Sequence, residues 1–226
     1  MKPRSLALLL CLALCTGRAG ALELAGVGGQ PFRLPLASIK AIRFAHTLRQ
    51  QYDFSCGSAA LATLLSQHYA YPVNEQLVFD QMFAQGDQAK IRKEGFSLYD
   101  MQRFLGRHGF KADGFELPLT KLLEARVPAI VLLSDQGYQH FVVVKGLAQG
   151  RVLVGDPASG TRALTLARFE QMWRNKLLFV IHDHATAPAF NRAADWRAAP
   201  ASPLSEGINR GALDTLTLPK LGPGDF

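Results

Sequence analysis

The sequence predicts an α+β chain, with helices gathered in its first half and an antiparallel sheet in its second. Three observations carry this. The stretch Gln50 to Ser55 is polar and aromatic with no helical period, and it runs into Cys56-Gly57-Ser58-Ala59-Ala60 and then Leu61 to Leu65, the composition of a tightly packed helix. Ala129 to Leu133, Phe141 to Val144 and Val152 to Val154 are continuous apolar runs, as in strands buried on both faces. Gly146 and Gly150 lie between the last two runs and mark a hairpin.

Taken in order, the N-terminus has the pattern of a secretory signal. Lys2 and Arg4 precede the short apolar core Leu6 to Leu14, and Ala19-Gly20-Ala21 is a small-x-small cleavage site. Leu10 and Leu14 stand before Cys11 and Cys15, where a lipoprotein signal needs a small residue. Residues 1–21 are therefore expected to be removed, leaving an exported chain from Leu22 to Phe226 with no run reaching the ~20 apolar residues of a membrane span. Cys56 is then the only cysteine, so no internal disulfide is available in an oxidising compartment. Loss of Lys2, Arg4 and Arg18 lowers the net charge from +7 by three, to +4, and no basic face interleaved with aromatics argues for nucleic acid.

Residues 22–45 read as an extended lead-in with one edge strand near Phe32 to Leu36. The helix from Cys56 to about Gln67 follows. Cys56 at its N-terminus meets free N–H groups and the positive end of the dipole, which predicts a thiol pKa below the ordinary value. Gly57 and Ser58 keep the first turn narrow, leaving room for a substrate backbone beside the sulfur. Asn74 caps a helix through Phe83, and the charged stretch Gly86 to Gly95 reads as an exposed loop. Ser97, with Asp100 three residues on, caps a helix with the buried stripe Leu98, Met101, Phe104 and Leu105, which Gly109 ends. A short helix near Leu119 to Ala125 and a last strand, Leu177 to Ile181, complete the domain, 46–184. Residues 185–226 lack apolar periodicity and predict an extended tail, poorly ordered from Pro188 onward.

His140 opens one hairpin strand and Asp156 closes the next. A turn centred on Ala148 sets them directly opposite, where the carboxylate can orient the imidazole. A two-residue Gln149-Gly150 turn would instead set Asp156 opposite Val143, a looser pairing. A cysteine at a helix N-terminus with a histidine and an aspartate on neighbouring strands is the layout of a papain-like thiol enzyme: Cys56 attacks, His140 carries the proton and Asp156 holds His140. Gln50, six residues before Cys56, can supply an oxyanion donor beside the Cys56 N–H.

With these residues in place, Gln50 to Ala60, His140-Phe141-Val142-Val143-Val144 and Val154-Gly155-Asp156-Pro157 resemble the peptidase C39 family. The resemblance implies a papain-like fold, its helical part carrying Cys56 packed on an antiparallel sheet carrying His140 and Asp156. It implies peptide-bond hydrolysis with Cys56 as nucleophile, His140 as base, Asp156 as orienting acid and Gln50 in the oxyanion hole, and it brings no cofactor or metal. Family members that cut leader peptides after a double glycine are usually fused to transporter helices and an ATPase; this chain has no phosphate-binding Gly-rich loop, so that specificity is not carried over. An exported, stand-alone form is most similar to the periplasmic cysteine peptidases of pseudomonad functional-amyloid (Fap) secretion systems. That implies a secreted protein substrate and components of an amyloid secretion system as partners. The same triad also serves acyl transfer or cell-wall amide hydrolysis, and a third reading is a peptide-binding module without catalysis, which the intact Cys, His, Asp and Gln set opposes.

Other polar residues carry plainer expectations. His46, His68 and His108 have no ligand-spaced partner and read as surface or cap residues. His182-Asp183-His184 reads as a solvated strand end rather than a metal site. Asp135 and Tyr138 could line the cleft or simply belong to a loop.

Overall fold

The computed structural model describes residues 37–200 and, as backbone, the strands β1 (Leu22–Ala25) and β2 (Pro31–Leu34). The signal segment 1–21 and the stretch 201–226 lie outside the described residues. The chain divides into two units, Met1–Ser38 and Ile39–Phe226. In the first, β1 and β2 pair antiparallel with Leu22 against Leu34, so the strand expected near Phe32 is half of a hairpin.

The second unit starts earlier than expected, with α1 (Ile39–Phe44), which packs on a later strand. Then come α2 (Cys56–His68), α3 (Glu75–Gln85), α4 (Gln88–Glu94) and α5 (Leu98–Arg107). Caps fix these helices. Asn74 accepts from the Leu77 N–H at 2.8 Å, and Ser97 and Asp100 form a reciprocal capping box. The stretch expected as an exposed loop is α4: Asp87 caps it at the Lys90 N–H, 3.0 Å away, and Ile91 alone is buried. One apolar anchor between a cap and a stop is enough for a single turn or two, but it leaves no periodicity to read.

The remaining elements are β3 (Lys111–Glu116), α6 (Thr120–Ala125), β4 (Ala129–Asp135), β5 (Tyr138–Ala148), β6 (Arg151–Asp156), β7 (Gly160–Thr165), α7 (Leu166–Met172), β8 (Leu177–His182) and α8 (Ala193–Trp196). Six of the strands form one antiparallel sheet in the order β3-β8-β4-β5-β6-β7. Its central strands are buried on both faces. Ile130, Phe141, Val143, Phe179 and Ile181 pack with α2, α3 and α5, and Met101, Phe104 and Leu105 belong to that core as the sequence predicts. Val131, Leu133, Val142, Val144 and Val154 pack with Leu122, Phe169 and Trp173 on the opposite side. This two-sided burial explains the unbroken apolar runs.

Up to Pro200 the expected tail is instead bound to the domain. Asp195 is 1% exposed and forms an ion pair with Lys145, itself wholly buried, at 2.9 Å. Ala189 and His68 exchange two hydrogen bonds, through the Ala189 N–H to the His68 carbonyl and from His68 Nδ1 to the Ala189 carbonyl. Arg151 donates to the carbonyls of Ala199 and Pro200 and lies over the Trp196 ring. No apolar stripe announces this segment because most of its anchors are ion pairs and hydrogen bonds.

Candidate active site

The loop before α2 is shaped by its own polar groups. The Tyr52 N–H donates to Ser55 Oγ at 3.0 Å, and Ser55 Oγ and N–H both return to the Tyr52 carbonyl. This turn delivers Cys56 to the first position of α2, as expected. Ser58 Oγ lies 2.9 Å from both the Ser55 carbonyl and Glu75 Oε1, its one hydrogen shared between them, so a buried carboxyl at the start of α3 braces the turn that carries Cys56. Burial raises the Glu75 pKa despite these hydrogen bonds. Gly57 does not serve the substrate side. A Cβ there would lie 2.9 Å from both Phe96 Cβ and Met101 Cε, so the glycine allows α2 to approach its neighbours.

Cys56 is 8% exposed, and burial pushes its thiol above the ordinary value. N–H groups of Phe141, Gly57 and Cys56 itself pull the other way, and the Asp156 charge adds to the rise. The expected lowering is therefore overturned: desolvation outweighs the helix terminus. The donor groups also locate the sulfur, which lies beside the backbone N–H of the residue after His140.

His140 Nε2 is 3.2 Å from Asp156 Oδ2, with both side chains almost completely buried. His140 Nδ1 is buried and has no hydrogen-bond partner among the described residues. Asp156 is held on every side. Its Oδ1 accepts from the N–H groups of Ala158 (2.9 Å) and Ser159 (3.3 Å), and its Oδ2 accepts from Arg162 Nη2 (3.0 Å) and Nε (3.3 Å). Burial alone would raise this carboxyl, but the His140 hydrogen bond and charge, the Ala158 N–H and the Arg162 guanidinium hold it far below the usual carboxylate range. Arg162 escaped the sequence reading because β7 carries no apolar run.

The hairpin turn is the two-residue Gln149-Gly150, with φ of 50° and 67°, and not one centred on Ala148. His140 and Asp156 still meet, as diagonal neighbours, because the ladder shifts by one residue between Val144 and Gly146.

Gln50 is tied to the Asp156 loop by its N–H, which donates to the Pro157 carbonyl at 3.1 Å. Its side-chain Nε2 donates to the Tyr52 carbonyl at 3.1 Å and also reaches the Tyr138 hydroxyl. Tyr138 completes the surroundings: its ring stacks on His140 with centroids 5.4 Å apart, and burial first, then the Cys56 charge, raise its hydroxyl. Of the two residues offered for the cleft, Tyr138 is there; Asp135 pairs with Arg168 on the surface at 2.7 Å.

The remaining histidines go elsewhere. His46 meets Gln67, and His108 caps α5 between Tyr71 and Gln81. His68 is neither surface nor cap but 3% exposed, and burial lowers its pKa to about 4. His182 pairs with Asp113, Asp183 with Lys111, and His184 stacks on Phe110, three separate partners.

The Peptidase C39 family matches residues 45–185. The chain is 39% identical over 181 residues to the probable functional amyloid protease FapD of Pseudomonas aeruginosa and 37% identical over 182 residues to that of Pseudomonas fluorescens, covering 80% of each chain in both cases. The crystal structure of the peptidase domain of Streptococcus ComA, a bi-functional ABC transporter involved in quorum sensing, shares the fold with a TM-score of 0.52 at 18% identity, over 62% of this chain and 98% of that one. With a papain-like α+β fold and a matched stretch spanning Cys56, His140 and Asp156, the chain belongs to the peptidase C39 family and is a cysteine peptidase.

Proposed function

We propose that this peptidase is exported to the periplasm, its first 21 residues removed as a signal, and there cuts a secreted protein handled by a functional-amyloid (Fap) system. The observation that carries the catalytic assignment is the buried His140–Asp156 pair with the sulfur of Cys56 against the adjoining Phe141 N–H. His140 Nδ1 takes the Cys56 proton as the sulfur attacks the scissile carbonyl carbon, and Asp156 at Nε2 stabilises the imidazolium. The oxyanion is held by the Cys56 N–H and the Gln50 amide. The imidazolium then gives its proton to the leaving amine, a thioester forms on Cys56, and a water deprotonated by His140 hydrolyses it.

The substrate class is supported by the two relatives named as functional amyloid proteases, and the compartment by the pattern of Lys2, Arg4, Leu6 to Leu14 and Ala19 to Ala21. The test compares exported-protein fragments from cells carrying wild type and Cys56→Ala. A fragment present only with wild type, from a protein of the amyloid system, is expected. Identical fragment patterns from the two strains would refute the reading.

A further inference from the structure

The β5–β6 hairpin carries two registers. Next to the turn, Ala148 pairs with Arg151, Leu147 with Val152 and Gly146 with Leu153; beyond the shift, Val144 pairs with Val154 and Val143 with Gly155. Lys145 is the extra residue. Carried on unbroken, the register at the turn would set Asp156 opposite Val143, whose side chain shares the α2 face with Phe141. His140 alternates with them and belongs to the other face. The inserted residue moves Asp156 beside Val142, on the face of His140, and so permits their 3.2 Å contact.

A bulge leaves backbone groups without ladder partners, and here the C-terminal segment supplies them. The Asn191 N–H donates to the Lys145 carbonyl at 2.8 Å, and Asn191 Nδ2 donates to the Leu147 carbonyl at 3.0 Å. Lys145 Nζ, wholly buried, donates to the His46 carbonyl at 2.5 Å and pairs with Asp195 Oδ1 at 2.9 Å. Asp195 is gripped in turn by Arg192, through Nε at 2.8 Å and Nη2 at 3.1 Å. Gly146 lets the segment sit flush, since a Cβ there would lie 2.4 Å from Asn191 Oδ1 and 3.0 Å from its Cα. Asn191, Arg192 and Asp195 all lie beyond residue 185, where the family match ends.

We propose that Asn191 to Asp195 is a positioning element of the active site: by holding the bulge at Lys145, it sets the strand register that brings Asp156 to His140. The proposal rests on the roles given above to His140 and Asp156. It makes Asn191, Asp195 and Lys145 positioning residues, acting through the hairpin and touching no substrate.

The test uses the chain from Leu22 to Phe226 and two readouts that stability alone does not move, taken at a temperature where circular dichroism finds each variant folded. One is the rate at which iodoacetamide alkylates Cys56 at pH 7. The other is the downfield proton signal of the His140 Nε2–H bonded to Asp156. Asp195→Asn and Gly146→Ala are both expected to slow alkylation roughly tenfold, toward the rate of Asp156→Asn, and to lose the downfield proton, with Asp195→Glu restoring part of each. Gly146→Ala and Asp195→Glu keep every charge and decide the matter if Asp195→Asn does not fold. Variants that melt earlier yet keep the wild-type rate and proton signal would overturn the proposal. If Asp156→Asn itself keeps the wild-type rate, the triad assignment fails instead.

Discussion

Ending the chain at His184 removes Asp195 and strands Lys145, whose side chain has no exposed surface. Two routes give the size of the effect. Breaking a buried ion pair by deleting one partner costs about 3–5 kcal/mol. Alternatively, Lys145 sheds its proton, and bringing a group of ordinary pKa ~10.4 to neutrality at pH 7 costs about 4–5 kcal/mol. Lys145 is already displaced in this direction: burial lowers its pKa to about 8 even with Asp195 opposing. The cost is a large share of the 5–15 kcal/mol typical of a domain. Urea unfolding of chains starting at Leu22 and ending at His184, Pro200 or Phe226 measures it. With a slope of about 2 kcal/mol/M, the His184 chain should unfold about 2 M earlier, and the Pro200 chain should match the full one. An unchanged midpoint for the His184 chain would refute the reasoning and return Pro188 to Pro200 to the status of a passive tail.

Four further outcomes are expected. Gln50→Ala should lower kcat about 10²–10³-fold with little change in KM, measured on the exported substrate; an effect on KM alone removes Gln50 from the oxyanion hole. In His140→Ala the Cys56 thiol, raised by burial, should stay protonated at neutral pH, so iodoacetamide labelling should climb only above about pH 8.5, and labelling at pH 7 as fast as wild type would count against His140 as the base. Arg162→Met takes one cation from Asp156 Oδ2, so the acid limb of the pH–rate profile should move to higher pH; an unmoved limb assigns Arg162 to surface packing. His68, with a folded pKa of about 4 against an unfolded value near 6.5, contributes stability that is full above the unfolded value and lost as pH falls through the folded one. The domain should therefore lose about 3 kcal/mol between pH 6.5 and 4, and His68→Asn should be flat by comparison in denaturation at both pH values.

Local signals were legible in the sequence and long-range ones were not. The passage from Tyr52 to Cys56 changes composition at the residue where α2 starts, and Asn74 and Ser97 cap the helices they precede. His140 and Asp156 stand at the ends of apolar runs, so their approach could be read before their register. The register could not, because the bulge at Lys145 is held by Asn191 and Asp195, about fifty residues on. β3 escaped because only Ala112 of its residues is buried. The sign of the Cys56 shift depended on how deeply the helix start is covered, which no spacing reports. Arg162 carries no motif; its role exists only once β7 lies beside β6.

The two ends of the sheet have a bearing on the company this enzyme is proposed to keep. Chains that form amyloid grow by adding strands to any free row of backbone donors and acceptors, and a peptidase that meets them offers such rows of its own. On one side the outermost strand among the described residues is β3, and Lys111, Asp113 and Glu116 stand exposed along its six residues. On the other side α1 lies against β7, with Arg43 pressed on the backbone of Gly160. One margin is charged and the other is covered. An added strand is thereby discouraged from templating on the sheet.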